Sequence, residues 1–430
     1  MARELKICVI GGGSTYTPEL IEGLIGRQAE LGLATVTLID IDEDRLRVVG
    51  GFAKRMIRAA GSPIELVLST ERKEALEGAD YVISQIRVGG NAQRIVDEKI
   101  PLRFGIVGQE TTGPGGLAKA LRTIPVMLSI AADMERLSPQ AWLINFTNPS
   151  GLITEALLKH SKAQVIGLCN LPINMIHAVA GYLGVSPQRV SLDYVGLNHL
   201  SWVKGVYLNG QEVSEVVLTK VMEEARQAAE GHSPFSPELL EALGMLPCYY
   251  LRYYYHHDEV LKEQKRAGKS RGEEVQGIEE RLLAMYADPH LISKPKELEK
   301  RGGALYSTAA VSLIAAIVGN KNEVHIVNSR NRGAIADLPE DSVVEVPCLV
   351  GAAGATPLTV GYLPVAIRGL IQAVKAYEEI TIEAAVTGDR RTALQALLNH
   401  PLVPSFEVAN ALLNAILEAN SDYLPQFFSK

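Results

Sequence analysis

The chain lacks most of what would tie it to an extracellular, membrane or nucleic-acid setting. Its four cysteines in 430 residues, Cys8, Cys169, Cys248 and Cys348, lie far apart and form no CxxC pair. That spacing excludes a disulfide framework and points to a reducing compartment, the cytoplasm. No signal peptide is expected, because Met1-Ala-Arg-Glu-Leu-Lys is charged and leads straight into a strand. The longest apolar run, Ala304 to Val318, carries Tyr306, Ser307, Thr308 and Ser312; too short and too polar to span a bilayer, it predicts a buried helix. No block of five or more like charges occurs, and the net charge is -7. Nucleic acid and anionic membrane are therefore poor partners, and an anionic ligand needs a local arginine cluster. Repeats, low-complexity tracts and obvious linkers are also missing. What remains, 47% hydrophobic and 21% charged over 430 residues, reads as an ordered soluble protein of two lobes packed as one unit.

The first lobe opens on the short apolar strand Lys6-Ile-Cys-Val-Ile10, followed by Gly11-Gly-Gly-Ser-Thr-Tyr-Thr-Pro-Glu19. A helix follows, with Leu20, Ile21, Leu24 and Ile25 at helical spacing and Pro18 in its first turn. Strand, glycine turn and helix form a dinucleotide site: the turn of Gly11, Gly12, Gly13, Ser14 and Thr15 lets backbone N–H groups approach a pyrophosphate at the helix N-terminus. The third glycine of the GxGxxG pattern is replaced by Tyr16. A second strand, Thr35-Val-Thr-Leu-Ile-Asp40, ends in an acid suited to a ribose hydroxyl. Asp40 and Asp42 both fit that role; the acid favours NAD over NADP, and Arg45 weighs the other way.

Further strands are predicted at Glu65–Ser69, Tyr81–Ile86, Trp142–Phe146 and Gln164–Leu168, with helices at Glu43–Ala60 and Leu117–Leu137. This alternation gives an α/β fold: a Rossmann-type, doubly wound parallel sheet of the lactate/malate dehydrogenase kind over residues 1–168. Ligands belong at its C-terminal strand ends, which puts Arg87, Asn145, Asn148, Cys169 and Asn170 under consideration. The connection from Arg87 to Gly116 holds Arg94, Arg103, Glu110 and a glycine-rich stretch, and is read as a long excursion with a function.

Residues 169–430 are expected to form a mixed α+β, helix-rich domain for substrate and metal. It contains a helix from Pro172 to Leu183 and a strand from Val190 to Val195 running into Gly196-Leu-Asn-His199. A polar helical region from Val213 to Gly277 is interrupted by Pro247-Cys-Tyr-Tyr-Leu-Arg-Tyr-Tyr-Tyr-His-His257. Five tyrosines in that span suit packing or a subunit interface better than chemistry. Strands around a turn are expected at Glu323–Pro347, and two or three helices from Val360 onward. Cys169 and His199 each offer one metal-binding side chain, and a thiolate with an imidazole leaves a metal open to substrate. No HxxxH or CxxC supports the pair, and two such ligands do not fix the metal, since thiolate and imidazole suit zinc, iron or nickel. Its support is position, since Cys169 ends a sheet strand.

Several stretches, in order along nearly the whole chain, resemble the family-4 glycoside hydrolases, which depend on NAD and a metal. They are Gly11-Gly-Gly-Ser-Thr-Tyr-Thr-Pro, Ile86-Arg-Val-Gly-Gly, Gly108-Gln-Glu-Thr-Thr-Gly-Pro-Gly-Gly, Asn145-Phe-Thr-Asn-Pro-Ser-Gly, Gly167-Leu-Cys-Asn, Gly196-Leu-Asn-His, Tyr250-Leu-Arg-Tyr-Tyr-Tyr and Leu338-Pro-Glu-Asp-Ser-Val-Val-Glu-Val-Pro. Asn170 makes the chain look most like the 6-phospho-β-glucosidases, because members acting on α-linked sugars carry Asp after the metal cysteine. The resemblance implies hydride transfer from C3 of the sugar to NAD, loss of the C2 proton to a tyrosinate, elimination at C1, addition of water and return of the hydride. It also implies a metal, usually manganese, held by Cys169 and His199. Tyr250 falls on the base, with Tyr249 next to it, and Glu110 on the residue assisting it. Arg94 and Asn148 fall on sugar-phosphate contacts, Asn170 is expected to bind substrate, and Arg301 is added as a phosphate clamp because a guanidinium fork suits a phosphate. The proton donor to the leaving group has no candidate.

The resemblance further implies a phosphorylated disaccharide or β-glucoside as substrate and a homodimer or homotetramer. Other readings remain: a lactate/malate-type dehydrogenase, an NAD-binding scaffold without chemistry, or another specificity in the same family, such as 6-phospho-α-glucosidase or α-galactosidase. The dehydrogenase needs an Asp-x-x-Arg helix, and Leu171-Pro-Ile-Asn-Met-Ile-His177 has neither Asp nor Arg.

Overall fold

The computed structural model describes residues 4–227, 233–302 and 305–428. Six strands form the expected parallel sheet: β1 (Leu5–Ile10), β2 (Leu33–Ile39), β3 (Glu65–Ser69), β4 (Tyr81–Ser84), β5 (Trp142–Asn145) and β6 (Gln164–Gly167). Their spatial order is β6-β5-β4-β1-β2-β3. β1 is thus flanked by β2 and β4, and the winding reverses there, which opens a crevice at the C-terminal ends of β1 and β4. Burial on both faces explains why these strands read as continuous apolar runs; Ile7, Cys8, Val9, Val82, Ile83, Leu143 and Ile144 are wholly buried.

The helices follow their sequence signals. Thr17–Gly26 starts with Pro in its first turn. Glu43–Ala59 is capped by Asp42, whose side chain accepts from the Arg45 N–H, and it buries Leu46, Val49, Phe52, Ala53, Met56 and Ile57 at helical spacing. Gly113–Leu137 begins four residues ahead of the expected Leu117, through Pro114 and three glycines. Tyr306–Val318 is the expected buried helix; Ala304, the first residue of the apolar run, lies outside the described residues.

Three features differ from the sequence reading. The connection after β4 is not an irregular excursion, because residues Gly90–Arg103 form a helix. Its inner face carries Gln93, Arg94, Asp97 and Glu98, so the polar side chains masked its helical period. The strand β7 (Val190–Leu197) has a partner that the sequence did not suggest, β8 (Leu200–Leu208), and together they form an antiparallel hairpin whose two-residue turn is Asn198-His199. Two-residue strands, β9 (Gln211–Glu212) and β10 (Leu246–Pro247), complete this second sheet. Finally, β11 (Glu323–Arg330), β12 (Val343–Gly351) and β13 (Gly354–Pro357) extend the first sheet beyond β6, antiparallel, to nine strands. The tyrosine-rich interruption is itself helical, a 3-10 turn at Tyr249–Leu251 running into Arg252–Tyr255.

Candidate active site

At the crevice, Gly11 takes φ 89°, and a Cβ there would lie 2.9 Å from Gln85 O. Only glycine serves at that point. A Cβ on Gly12 would meet the Leu38 Cβ at 2.7 Å, and one on Gly13 the Asp40 carboxylate at 2.8 Å. Asp40 accepts the Gly13 N–H at 2.8 Å, whereas Asp42 is used as the helix cap. Ser14 accepts the Tyr16 N–H through its hydroxyl at 3.2 Å, and Thr15 is buried with its hydroxyl 3.3 Å from Glu279 Oε1.

These residues border a cavity of about 720 Å³ lined by Gly11, Ser14, Asp40, Arg45, Asn148 and Arg301, among others. That volume and the tight glycine turn suit a dinucleotide. Asn148 Oδ1 and Asn91 Oδ1 line it as buried acceptors without a hydrogen-bond partner among the described residues, which is how a wall looks when a ligand supplies the donors. Arg301 reaches the cavity over the Tyr16 ring, 5.7 Å from its centroid, and is held by Glu279 at 3.0 and 2.8 Å.

The metal pair adjoins the cavity through Tyr306. Asn148 hydrogen-bonds that tyrosine's hydroxyl, and the tyrosine bears electrostatically on Cys169. Cys169 Sγ lies 3.4 Å from His199 Nε2. A tetrahedral metal with bonds of about 2.3 Å to sulfur and about 2.1 Å to nitrogen separates its donors by about 3.6 Å, so the two atoms fit one ion. No third His, Cys, Asp or Glu joins them among the described residues, which leaves the remaining positions to substrate or water. Burial pushes the Cys169 thiol up, with the Glu345 charge adding to it, and pushes His199 down to about 3. His199 is therefore neutral, as a ligand must be.

The tautomer follows from the surroundings. Thr111 Oγ1 donates to Gln109 Oε1 at 2.8 Å and lies 3.0 Å from His199 Nδ1. Its hydroxyl proton being committed, it accepts from Nδ1–H and leaves the Nε2 lone pair facing sulfur. His199 takes φ 64°, the left-handed region that side chains rarely enter. Beneath it the wholly buried Glu345 anchors the turn, accepting from Asn198 at 3.0 Å, Tyr194 at 2.6 Å and Asn328 at 3.0 Å.

Tyr250 stacks on His199 with ring centroids 3.7 Å apart and planes 4° from parallel. Burial pushes its phenol well above the usual value, and Tyr253, Cys169, Tyr306 and Glu110 add to the effect. Tyr249 points elsewhere: it is 47% exposed and its hydroxyl accepts from Arg252 at 2.8 Å. Glu110 is buried among Arg87, Arg94 at 3.2 Å and Lys119 at 2.6 Å. Burial alone would raise its carboxyl, but the three cations outweigh it and hold the group well below the usual range. Lys119 pays for this position: burial and the neighbouring Arg87 bring it down to about 7 against the pull of Glu110.

Glu110 and Arg94 thus join the Tyr250–His199–Cys169 cluster, while Asp40, Arg45 and Arg301 stay on the cavity with the glycine turn. Arg94 and Arg301 are committed to different carboxylates, Arg94 to Glu98 and Glu110, Arg301 to Glu279. Asn170 follows Cys169 at the start of the helix Leu171–Leu183, with its Oδ1 3.9 Å from the Cys169 Sγ. Lys119, Thr111, Tyr306, Glu279 and Glu345 escaped the sequence reading. Lys119, Tyr306 and Glu279 sit within helices, Glu345 within a strand and Thr111 in the bend ahead of the helix Gly113–Leu137, and none has a local sign of its partners.

Two family profiles match the chain, Family 4 glycosyl hydrolase over residues 6–185 and Family 4 glycosyl hydrolase C-terminal domain over residues 194–403. A probable 6-phospho-beta-glucosidase of Bacillus subtilis (strain 168) is 48% identical, covering 100% of this chain and 99% of that protein. The 6-phospho-beta-glucosidase of Escherichia coli (strain K12) is 40% identical, over 99% of this chain and 98% of its own. The solved structure of the 6-phospho-beta glucosidase from Thermotoga maritima with manganese, NAD+ and glucose-6-phosphate superposes with a TM-score of 0.91 at 38% identity, covering 98% of this chain and 99% of the other.

Proposed function

The chain belongs to family 4 of the glycosyl hydrolases, and from that premise we propose that it hydrolyses 6-phospho-β-glucosides, cellobiose 6-phosphate for example, to glucose 6-phosphate and an aglycone, using NAD and a divalent metal, manganese foremost. The observation that carries this reading is the facing of Cys169 Sγ and His199 Nε2 at 3.4 Å, with Tyr250 stacked on the imidazole, beside a dinucleotide-sized cavity. When bound, NAD accepts and returns a hydride at C3 while the metal draws electron density from the neighbouring oxygens, which makes the C2 proton removable. The net change is addition of water across the glycosidic bond, with NAD unchanged at the end.

The chain's own residues divide the work. Gly11, Gly12, Gly13, Ser14 and Thr15 offer backbone and hydroxyl groups to the pyrophosphate, and Asp40 accepts from the adenosine ribose. Cys169 and His199 hold the metal, and Thr111 keeps the imidazole in the required tautomer. Tyr250 takes the C2 proton. Its neighbours oppose ionisation, and a cation held by Cys169 and His199 acts in the opposite direction. Glu110 orders Arg87, Arg94 and Lys119 around that tyrosine. Arg94, Asn148, Asn170 and Arg301 serve the phosphosugar; Asn148 brings an unpaired acceptor, and Arg301 a guanidinium that already rests on the cavity wall.

Residues 1–168 in this reading supply the coenzyme site, together with Arg94, Glu110 and Asn148 at the sugar, and residues 169–430 supply the metal ligands and the rest of the substrate site. The four free cysteines favour the cytoplasm, and no helix of the described residues is long and apolar enough to cross a membrane. Assembly as a homodimer or homotetramer belongs to the same reading, supported by the exposure of Tyr362 and Val365, 77% each.

The test is hydrolysis of p-nitrophenyl β-glucoside 6-phosphate by reduced protein, omitting NAD and manganese in turn. Nitrophenol should appear only with both, without accumulated NADH. Release with neither would mean a conventional two-carboxylate hydrolase, and cleavage of the α-linked analogue alone would overturn the β assignment.

A further inference from the structure

The geometry points to Glu279 as a positioning residue that makes the coenzyme site select NAD over NADP, by drawing Arg45 away from the adenosine ribose. This rests on the proposed NAD site and concerns the discrimination made there. An arginine beside the acid that follows the second strand is the usual receptor for the 2′-phosphate of NADP. Here both groups are present, Asp40 after β2 and Arg45 in the first turn of the next helix.

Arg45 is not free for that role. Its Nε donates to Gly13 O at 3.3 Å and its Nη2 to Glu279 Oε2 at 3.3 Å, so the guanidinium lies back over the glycine turn. Glu279 comes from the helix Arg271–Ala287, 234 residues later in the chain. Its carboxylate is fixed from several other sides, by Arg301 at 3.0 and 2.8 Å, Asn91 at 2.9 Å and Thr15 at 3.3 Å. The Glu279 side chain is 10% exposed and that of Arg45 32%, so the carboxylate is the anchor and the arginine the more exposed partner. The other arginine lining the cavity near Asp40, Arg72, is also committed, with Nε 2.8 Å from Asp133 Oδ2 and Nη2 3.0 Å from Ser129 Oγ. A 2′-phosphate would meet the Asp40 carboxylate and find no uncommitted guanidinium.

The competing account is that Glu279 only pins its helix against the glycine turn. That role would alter the affinity for both coenzymes alike, so their ratio separates the two. The experiment is titration calorimetry of the full chain with NAD and with NADP, without metal or sugar. Glu279→Gln should lower the ratio Kd(NADP)/Kd(NAD) about tenfold, the gain from one charge-assisted contact to phosphate, and the gain should vanish in Glu279→Gln/Arg45→Ala. Equal weakening of both coenzymes would overturn the proposal. Arg45→Ala alone, at a side chain exposed enough to be replaced without loss of the fold, should leave the ratio as it is in the wild type; selective loss of NADP binding there would also overturn it. Wild-type protein that binds no NAD would remove the coenzyme reading and this proposal together, whereas NAD binding with an unmoved ratio removes the proposal alone.

Discussion

The His199 imidazole lies flat against the Tyr250 ring, 3.7 Å between centroids, which couples the candidate metal ligand to the candidate base. Tyr250→Phe keeps the ring and therefore the stack, and deletes only the hydroxyl. The variant should melt close to the wild type and retain manganese, while kcat/KM on the nitrophenyl substrate falls by about 10²- to 10⁴-fold, the usual worth of a general base. Near-normal turnover would remove Tyr250 from the mechanism and leave Tyr249, held by Arg252, to be tested next.

His199 occupies a left-handed backbone position that asparagine tolerates better than other side chains do. His199→Asn should keep the backbone turn, at some cost in stability for the lost stack on Tyr250, and lose manganese. Thr111→Val deletes the acceptor of Nδ1–H together with the hydroxyl's bond to Gln109 Oε1, and should weaken manganese about 10- to 100-fold, as losing an outer-shell partner does. Equilibrium dialysis against manganese reads both. Unchanged affinity in the threonine variant would show that the tautomer is set by something else.

Glu110 is the single carboxylate shared by three cations, the partly exposed Arg87 and the buried Arg94 and Lys119. Glu110→Gln leaves them facing one another and should cost about 3–5 kcal/mol in urea unfolding, as for a buried pair that has lost one member. Lys119, already down at about 7, is the cation that can shed its proton. The deficit should therefore deepen as pH falls from 8.5 to 6, and Glu110→Gln/Lys119→Met should recover part of it. A loss independent of pH would place the strain elsewhere.

The parts of this protein that repeat a local pattern were legible in the sequence. The β1–glycine turn–helix unit, Asp40 at the end of β2 and the capped helix from Glu43 depend on neighbours within a few residues, so periodicity and capping reveal them. Cys169 and His199 were reached by position and resemblance, since 30 residues separate them and no spacing joins them. The helix Gly90–Arg103 stayed hidden because its buried face is charged, and the charges are satisfied by Glu110, Arg122 and Gly272 from elsewhere in the chain. Glu279 was invisible for the same reason. It sits in a polar helix, and its partners Thr15, Arg45, Asn91 and Arg301 meet only when the chain is folded. Buried polar networks of this kind are written in three dimensions, whereas hydrophobic periodicity is written in one.

A second buried network gives a pH prediction of definite sign. Lys375 Nζ lies 2.7 Å from Glu155 and 2.6 Å from Glu378, all three groups buried, and Lys159 also reaches Glu155 at 2.8 Å. One cation is thus set between two acids. Burial raises Glu378 from 4.5 to about 7, past the pull of Lys375 and with Glu155 adding to the rise, while the two lysines hold Glu155 below its usual value. Between pH 4.5 and 7 the folded state keeps a proton on Glu378 that the unfolded chain releases, so this group's contribution to stability is full below 4.5 and falls as pH rises through 7. Glu378→Gln fixes the neutral form. Subtracting its melting curve from that of the wild type cancels the parallel contribution of Asp97, which burial raises to about 6. The difference in Tm should be small at pH 5 and should move steadily in favour of the variant up to pH 7. A difference that stays flat would mean that Glu378 is ionised throughout, with Lys375 shared evenly between the two carboxylates.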